Sequence, residues 1–363
     1  MKILDRYITV ILLMTTGVAL LVLLALFAVL LLIDQLGDVG HGNYDVIKVI
    51  EYVFLTLPRL AIELAPVAAI IGGMTTLGIL AHNSELVIIH TSGVSRFRLA
   101  LSLMKGGLLI VLVTLLVGEL LAPYGEHTAQ QMRSVALSRQ VALNTGNGFW
   151  SRDGSSFINI RKILPGDQVE DIYIYEFDAE DRLRTSTYAR RGRYANGQWI
   201  LEDIEQSVIE NEKVIRMDLK LAAWESLLNP GIINLVTIKP DYLTLRGLLE
   251  YIRYLKQNEQ NSQRYEQALW SKLVSPVTIL ALIILAVPLV RCRSRTVAVG
   301  QRVFLGCLAG LVFHIANQIS AQIGIVYSIN AAVSVTLPTI VVASITLWLL
   351  RREERPGHLI YSV

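Results

Sequence analysis

Residues 8–33 read ITVILLMTTGVALLVLLALFAVLLLI, an unbroken apolar run from Ile8 to Ile33 without one charged side chain. As a helix rising 1.5 Å per residue it is about 39 Å long. That exceeds the roughly 30 Å hydrocarbon core of a bilayer, so it spans with tilt or protrudes. It is too long for the apolar region of a signal peptide, and no small-x-small cleavage site follows, so it reads as a retained span. Five further apolar stretches follow: Val53–Ala81, with Arg59 and Glu63 near its start; Leu99–Ala122, with Lys105 and Glu119 near its ends; Leu269–Val290; Val303–Val326; and Ala331–Leu350. Charges at the ends of spans reach the headgroups. The expected architecture is an α-helical membrane protein with six transmembrane helices, three on each side of a polar insert.

Composition points the same way. Of 363 residues, 53% are hydrophobic and 17% charged, against about 25% charged in a soluble domain, and the mean hydropathy is +0.49. So much apolar surface excludes a disordered chain. Its collection into long runs excludes a single soluble domain. Two cysteines, Cys292 and Cys307, exclude a disulfide-rich scaffold and any CxxC metal or redox site.

Basic residues orient the spans. Lys2 and Arg6, Arg96 and Arg98, Arg291, Arg293, Arg295 and Arg302, and Arg351, Arg352 and Arg355 fall on one side, while the opposite short loops hold only Lys48. The basic side is the cytoplasm, which puts both termini inside and the polar middle outside.

That middle, Tyr124–Ser262, holds 17 Lys+Arg and 19 Asp+Glu, so it is not a basic nucleic-acid surface. Its pattern is mostly strand. From Val214 to Leu221, Ile215, Met217, Leu219 and Leu221 share one face, with Arg216, Asp218 and Lys220 between them. Tyr173, Tyr175 and Phe177 likewise fall on one side. Asn196-Gly197 has the positive-φ tolerance of a two-residue hairpin turn. Short, closely spaced strands suggest an antiparallel sandwich, jelly roll or barrel. The period then becomes helical, with Leu245, Leu248, Leu249, Ile252 and Leu255 on one face leading back toward the membrane. The domains are therefore 1–123, 124–262 and 263–363.

Chemistry is hard to place. The chain has no P-loop, no HExxH and no GxSxG, so no catalytic residue and no cofactor are expected. His82 and His90 lie eight apart and suit no metal pair. Asp34 and Asp38, at the end of the first span, read as carboxylates that stop it rather than as a cation site. Two features stand out. In the cytoplasmic loop Ala81–Gly93, Asn83 or Ser84 can cap a short helix near 84–92, Glu85 suits its positive end and Gly93 can stop it. Leu86, Ile89 and His90 would share a face, fit either to lie on lipid or to enter a groove on a soluble partner. In the fifth span, Gly306 and Gly310 permit close helix approach.

Several of these stretches resemble the LptF/LptG permeases: Leu4-Asp5-Arg6-Tyr7-Ile8, Asp34-Gln35-Leu36, Ser84-Glu85-Leu86 with Thr91-Ser92-Gly93, Gly118-Glu119 before Ala122-Pro123, and Trp270-Ser271-Lys272. The resemblance covers the whole chain, and the opening and the loop look more like the LptG branch. It implies a permease of the lipopolysaccharide exporter in the inner membrane of Gram-negative bacteria, with a periplasmic β-jellyroll. It implies an LptF-like partner in a heterodimer, an LptB-like ATPase dimer, an LptC-like membrane-anchored protein and an LptA-like periplasmic bridge. ATP hydrolysis would belong to the ATPase, with Ser84, Glu85, Leu86, Ile89 and His90 as the coupling residues. Span one of one subunit would meet span five of the other at a lateral gate. Basic residues near the outer ends of spans one and three would meet lipid phosphates. Here Leu31, Gly37, Asp38 and Gln130 depart from that pattern, and Arg133 keeps it. Ile215, Met217, Leu219 and Leu221 would line an apolar interior of the β-domain and hold acyl chains, or else form only the core of a sandwich. The alternatives are a permease for another lipid or lipoprotein, and a non-transporting scaffold that displays a β-domain.

Overall fold

The computed structural model describes residues 2–137, 143–153, 155–164, 168–178, 180, 182–195, 198–210, 213–224, 240–258, 260–290 and 299–354. Its elements are α1 (Lys2–Leu36), α2 (Val46–His82), α3 (Glu85–Thr91), α4 (Arg96–Leu116), a π turn (Val117–Leu121), α5 (Ala122–Leu137), β1 (Leu143–Asp153), β2 (Ser156–Leu164), β3 (Gln168–Phe177), β4 (Leu183–Ala195), β5 (Gln198–Glu210), β6 (Lys213–Trp224), α6 (Leu245–Gln257), α7 (Gln263–Leu289), α8 (Val299–Val326) and α9 (Ala331–Glu354). Among the described residues six helices are long and apolar enough to cross a membrane: Ile3–Leu36, Val46–His82, Arg96–Leu137, Gln263–Leu289, Gly300–Val326 and Ala331–Arg352. Arg291, Arg293, Arg295 and Arg355, on which the orientation partly rests, lie outside the described residues, as does Cys292.

The chain forms two units, one of Met1–Asp34, Val53–Gly125 and Gln263–Val363, the other of Gln35–Tyr52 and Glu126–Ser262. The first is helical. Ile8 and Leu12 of α1, Ile70, Met74, Leu77 and Leu80 of α2, Leu103 of α4 and Leu282 and Ile283 of α7 are at most 1% exposed and form one core. The spans do not bury equally. Only 6% of the most apolar window of α1 and 17% of that of α8 is covered, against 33–78% in the other four. The third apolar stretch ends at Ala122, just before Pro123, and the helix was expected to end with it. Instead the helix runs through the π turn into α5. Proline is tolerated in the first turn of a helix, where its missing N–H is no loss, and the π turn supplies the break in register before it.

The second unit carries one antiparallel sheet in the order β1-β2-β3-β4-β5-β6, each strand paired with its sequence neighbours. Ala195 pairs with Gln198 across the expected hairpin turn, whose Asn196 and Gly197 lie outside the described residues. Tyr173, Tyr175 and Phe177 alternate with the buried Ile172 and Ile174, as the period of two requires. The alternation then slips. Asp171 and Asp203 have φ of +54° and +53°, a left-handed conformation that aspartate accepts better than most residues. Both sit level with Arg190 of β4, since Glu170 and Glu202 pair with Arg191, and Ile172 and Ile204 with Ala189. As a result Val169 and Ile172, and Leu201 and Ile204, are all buried although three residues apart. Burial, and behind it the phenol's hydrogen bond to Asp171 Oδ1, push Tyr188 up to about 12. Burial acts to raise Asp171, but hydrogen bonds from Lys162 and Tyr188 more than reverse it and leave this carboxyl below its ordinary value.

In α6, capped by Thr244 accepting from the Gly247 N–H, Leu248, Tyr251, Ile252 and Leu255 form the buried face. Leu249, expected on that face, is exposed. At 100° of rotation per residue, Tyr251 and Tyr254 extend the buried arc on the side away from Leu249, which is left beyond its edge.

Candidate lipid and coupling sites

The loop after α2 is built as the capping residues suggest. Helix α2 ends at His82, Ser84 turns the chain at φ +60°, α3 begins at Glu85, and Gly93 closes it at φ +83°. Leu86 and Ile89 share a face as expected, but that face turns into the chain's own helices and not toward lipid or a partner. Leu86 and Ile89 are 2% and 8% exposed, and Leu86 belongs to the helical core, while Val87 and Ile88 face outward. A seven-residue helix cannot bury itself, so it spends its i, i+3 pair on its own chain. The side chain of His90 lies outside the described residues. Glu85, half-exposed, accepts from the Tyr7 hydroxyl and from Asn83 Nδ2, each at 3.2 Å. Two residues before Tyr7, Asp5 accepts from Ser102 and Lys105 and pairs with Arg98 at 3.3 Å. The first turns of α1 are thus tied to both α3 and α4. Asp5 and Tyr7 come from the Leu4–Ile8 opening. That stretch carried the family resemblance, but sequence reasoning gave its side chains no role.

Helix α8 rides on α2 along residues spaced by four. A Cβ on Gly310 would stand 2.9 Å from Val67 Cγ1, and one on Gly306 would stand 3.2 Å from Ile71 Cα. One turn further, Arg302 is 5% exposed and its Nη1 donates to the Gly78 carbonyl at 2.8 Å. The small-residue face of α8 is therefore occupied by α2 of the same chain. The wide exposed face, with Phe304, Leu305, Leu308, Leu311 and Val312, is the one left for other contacts. Sequence reasoning counted Arg302 among the loop arginines, and nothing local marks it as buried.

Arg133 sits on α5 beneath the loop that follows α1. Its Nη2 donates to Asp38 Oδ2 at 2.6 Å, and its guanidinium lies 5.9 Å from the centre of the Tyr52 ring. Gln130 donates to the Tyr52 hydroxyl and to Glu126. Asp38 is thus held by a cation of its own chain, and among the described residues no three metal-binding side chains cluster.

The four apolar residues of β6 do share one face, but they are not a packed core. Ile215, Met217, Leu219 and Leu221 are 49%, 40%, 42% and 63% exposed. They are level with Val208, Gln206, Ile204 and Glu202 of β5. At the level of Leu219 the sheet is buried through Ile160, Ile172, Ala189 and Ile204 and opens at β6, which among the described residues pairs on one side only.

A family model described as "Lipopolysaccharide export system permease LptF/LptG" matches residues 6–352. The chain is 32% identical over 353 residues to the lipopolysaccharide export system permease protein LptG of Haemophilus influenzae, covering 97% of this chain and 99% of that one. It is 33% identical over 355 residues to the protein of the same name from Escherichia coli K12, with the same coverage. Such agreement from end to end leaves neither the spans nor the insert unaccounted for, and the chain belongs to the LptF/LptG family of lipopolysaccharide export permeases.

Proposed function

We propose that this chain is an LptG-type permease subunit of a lipopolysaccharide exporter, a transport subunit with no nucleotide site of its own. The full-length match, six spans and inserted β-domain included, carries this reading. The chain lies in the bacterial inner membrane with both termini in the cytoplasm and the β-domain in the periplasm. It pairs with an LptF-like permease, and an LptC-like protein and an LptA-like bridge take the lipid onward.

Energy arrives through α3. An LptB-like ATPase dimer docks beneath it and is met by Val87, Ile88 and Glu85, while Leu86 and Ile89 anchor the helix to its own core. Lipid enters sideways between α1 here and the fifth span of the partner, and between α8 here and the partner's first span. The support is that the most apolar windows of these two helices are the least covered of the six, and neither acyl chain nor helix then desolvates a charge. Arg133 meets a headgroup phosphate, since a guanidinium fork matches phosphate oxygens. The open apolar face of β6 takes acyl chains while the sugars stay wet.

The test is reconstitution of the purified complex with its ATPase. Lipopolysaccharide identified by mass spectrometry as the bound lipid, with ATP-dependent release, is the expected result. A complex that hydrolyses ATP but carries and releases only phospholipid would overturn the substrate. A chain that never copurifies with an ATPase would point to a scaffold.

A further inference from the structure

The loop holding Asp38 is locked in place. The Asn43 N–H donates to the Ala136 carbonyl at 2.7 Å. Gly42, at φ +62°, fits there because a Cβ would stand 2.5 Å from that same oxygen. Tyr44 is 1% exposed and its hydroxyl donates to Gln35 at 3.3 Å. The chain then turns through Asp38 N–H to the Gln35 carbonyl and His41 N–H to the Asp38 carbonyl. These contacts fix the loop on the end of α5 and set the Asp38 carboxylate against Arg133, one turn from Ala136.

We infer that Asp38 is a specificity residue: it occupies the phosphate-facing edge of Arg133 and reserves it for doubly charged phosphate monoesters over singly charged phosphodiesters. The inference rests on the reading that Arg133 meets a lipid phosphate. A carboxylate and a phosphate oxygen cannot share one N–H edge without like-charge repulsion, so an incoming headgroup must displace Asp38. The guanidinium lies 5.9 Å from the centre of the Tyr52 ring. A phosphodiester offers one negative charge, the same as the carboxylate it must displace, and gains little. A phosphomonoester at neutral pH carries about 1.5 to 2 negative charges on three oxygens and wins the exchange. The pair is partly exposed, Arg133 at 31% and Asp38 at 38%, so displacement costs a phosphodiester about two- to fivefold in affinity. Bulk phospholipids are phosphodiesters, and the terminal phosphates of a lipid A-type headgroup are monoesters.

The experiment uses the complete complex in nanodiscs, as found and with Asp38→Asn, Arg133→Gln and both changes. Retained lipid is quantified after incubation with phosphatidylglycerol vesicles, with bisphosphorylated lipid A, or with inorganic phosphate as competitor. Asn keeps the size and removes only the charge, and complex assembly is scored in each case. The expected result is that Asp38→Asn raises phosphatidylglycerol retention about two- to fivefold and lipid A retention less. That gain should disappear in the double variant. Unchanged retention of both lipids, an equal change in both, or a loss of lipid A on Asp38→Asn would overturn the competition, the last making Asp38 a residue that positions Arg133. If Arg133→Gln leaves every lipid unchanged, the phosphate reading of Arg133 fails instead. Inorganic phosphate displacing lipid A as readily as free lipid A does would make this a free-phosphate seat and overturn the headgroup assignment.

Discussion

Arg302→Met removes a buried cation of the helical unit while keeping most of its length. In the native chain Arg302 Nη1 lies 2.8 Å from the Gly78 carbonyl, and Gly78 lies in the last turn of α2, which ends at His82. A hydrogen bond from a charged donor is worth about 1.5–3 kcal/mol, and a cation near the C-terminal end of a helix adds about 0.3–1 kcal/mol. Burying the cation costs part of that sum, so the net loss is about 1–3 kcal/mol. Gly78→Ala is the paired perturbation. Its Cβ would stand 3.2 Å from Arg302 Cδ, a contact with a flexible stem that gives by a few tenths of an ångström. The alanine gains about 1 kcal/mol of helix propensity, so the two effects cancel within about 1 kcal/mol. The assay is equilibrium unfolding of the detergent-solubilised protein in a denaturing surfactant, followed by far-ultraviolet circular dichroism. If Arg302→Met and the native chain unfold within about 0.3 kcal/mol of each other, the contact carries no stability and the α2–α8 packing rests on the glycines alone.

Four other outcomes follow from the same geometry. Gly310→Ala places a Cβ 2.9 Å from Val67 Cγ1 and should destabilise by about 1–3 kcal/mol in that surfactant titration, whereas Gly17→Ala, with nothing within 4 Å, should be neutral or slightly stabilising. The folded Asp171 carboxyl is depressed, so its contribution to β-domain stability is complete above the ordinary aspartate range and is lost as pH falls through its lower folded value; Asp171→Asn should flatten the acid limb of a stability–pH curve. Tyr188 is raised, so its contribution is complete below the ordinary tyrosine value and fades as pH rises through about 12, and Tyr188→Phe should abolish that alkaline loss. Glu85→Ala should leave the chain folded and assembled but lower lipid-stimulated ATP hydrolysis in the reconstituted complex; full stimulation would leave Glu85 as a helix-end charge bonded to Tyr7.

Six spans, the inserted antiparallel β-domain and the family were legible in the sequence by itself. A membrane span must satisfy its backbone internally and present apolar side chains all round, so its signature is local and one-dimensional. A strand's face is equally local, which is why Ile215 to Leu221 and Tyr173 to Phe177 fell on the sides expected of them. Capping residues placed α3 between Ser84 and Gly93 for the same reason. Tertiary structure alone decided what each face meets. It turned Leu86 and Ile89 inward and Val87 and Ile88 outward. It spent Gly306 and Gly310 on α2, and it buried Arg302 against a carbonyl 224 residues away. It set Asp38 on Arg133 across 95 residues, and it slipped the period of β3 and β5 at two left-handed aspartates beside Arg190. Each of these turns on the free energy of a contact between distant segments. A residue's own neighbours fix which way it points, and only the folded chain fixes whether lipid, water or another helix lies there.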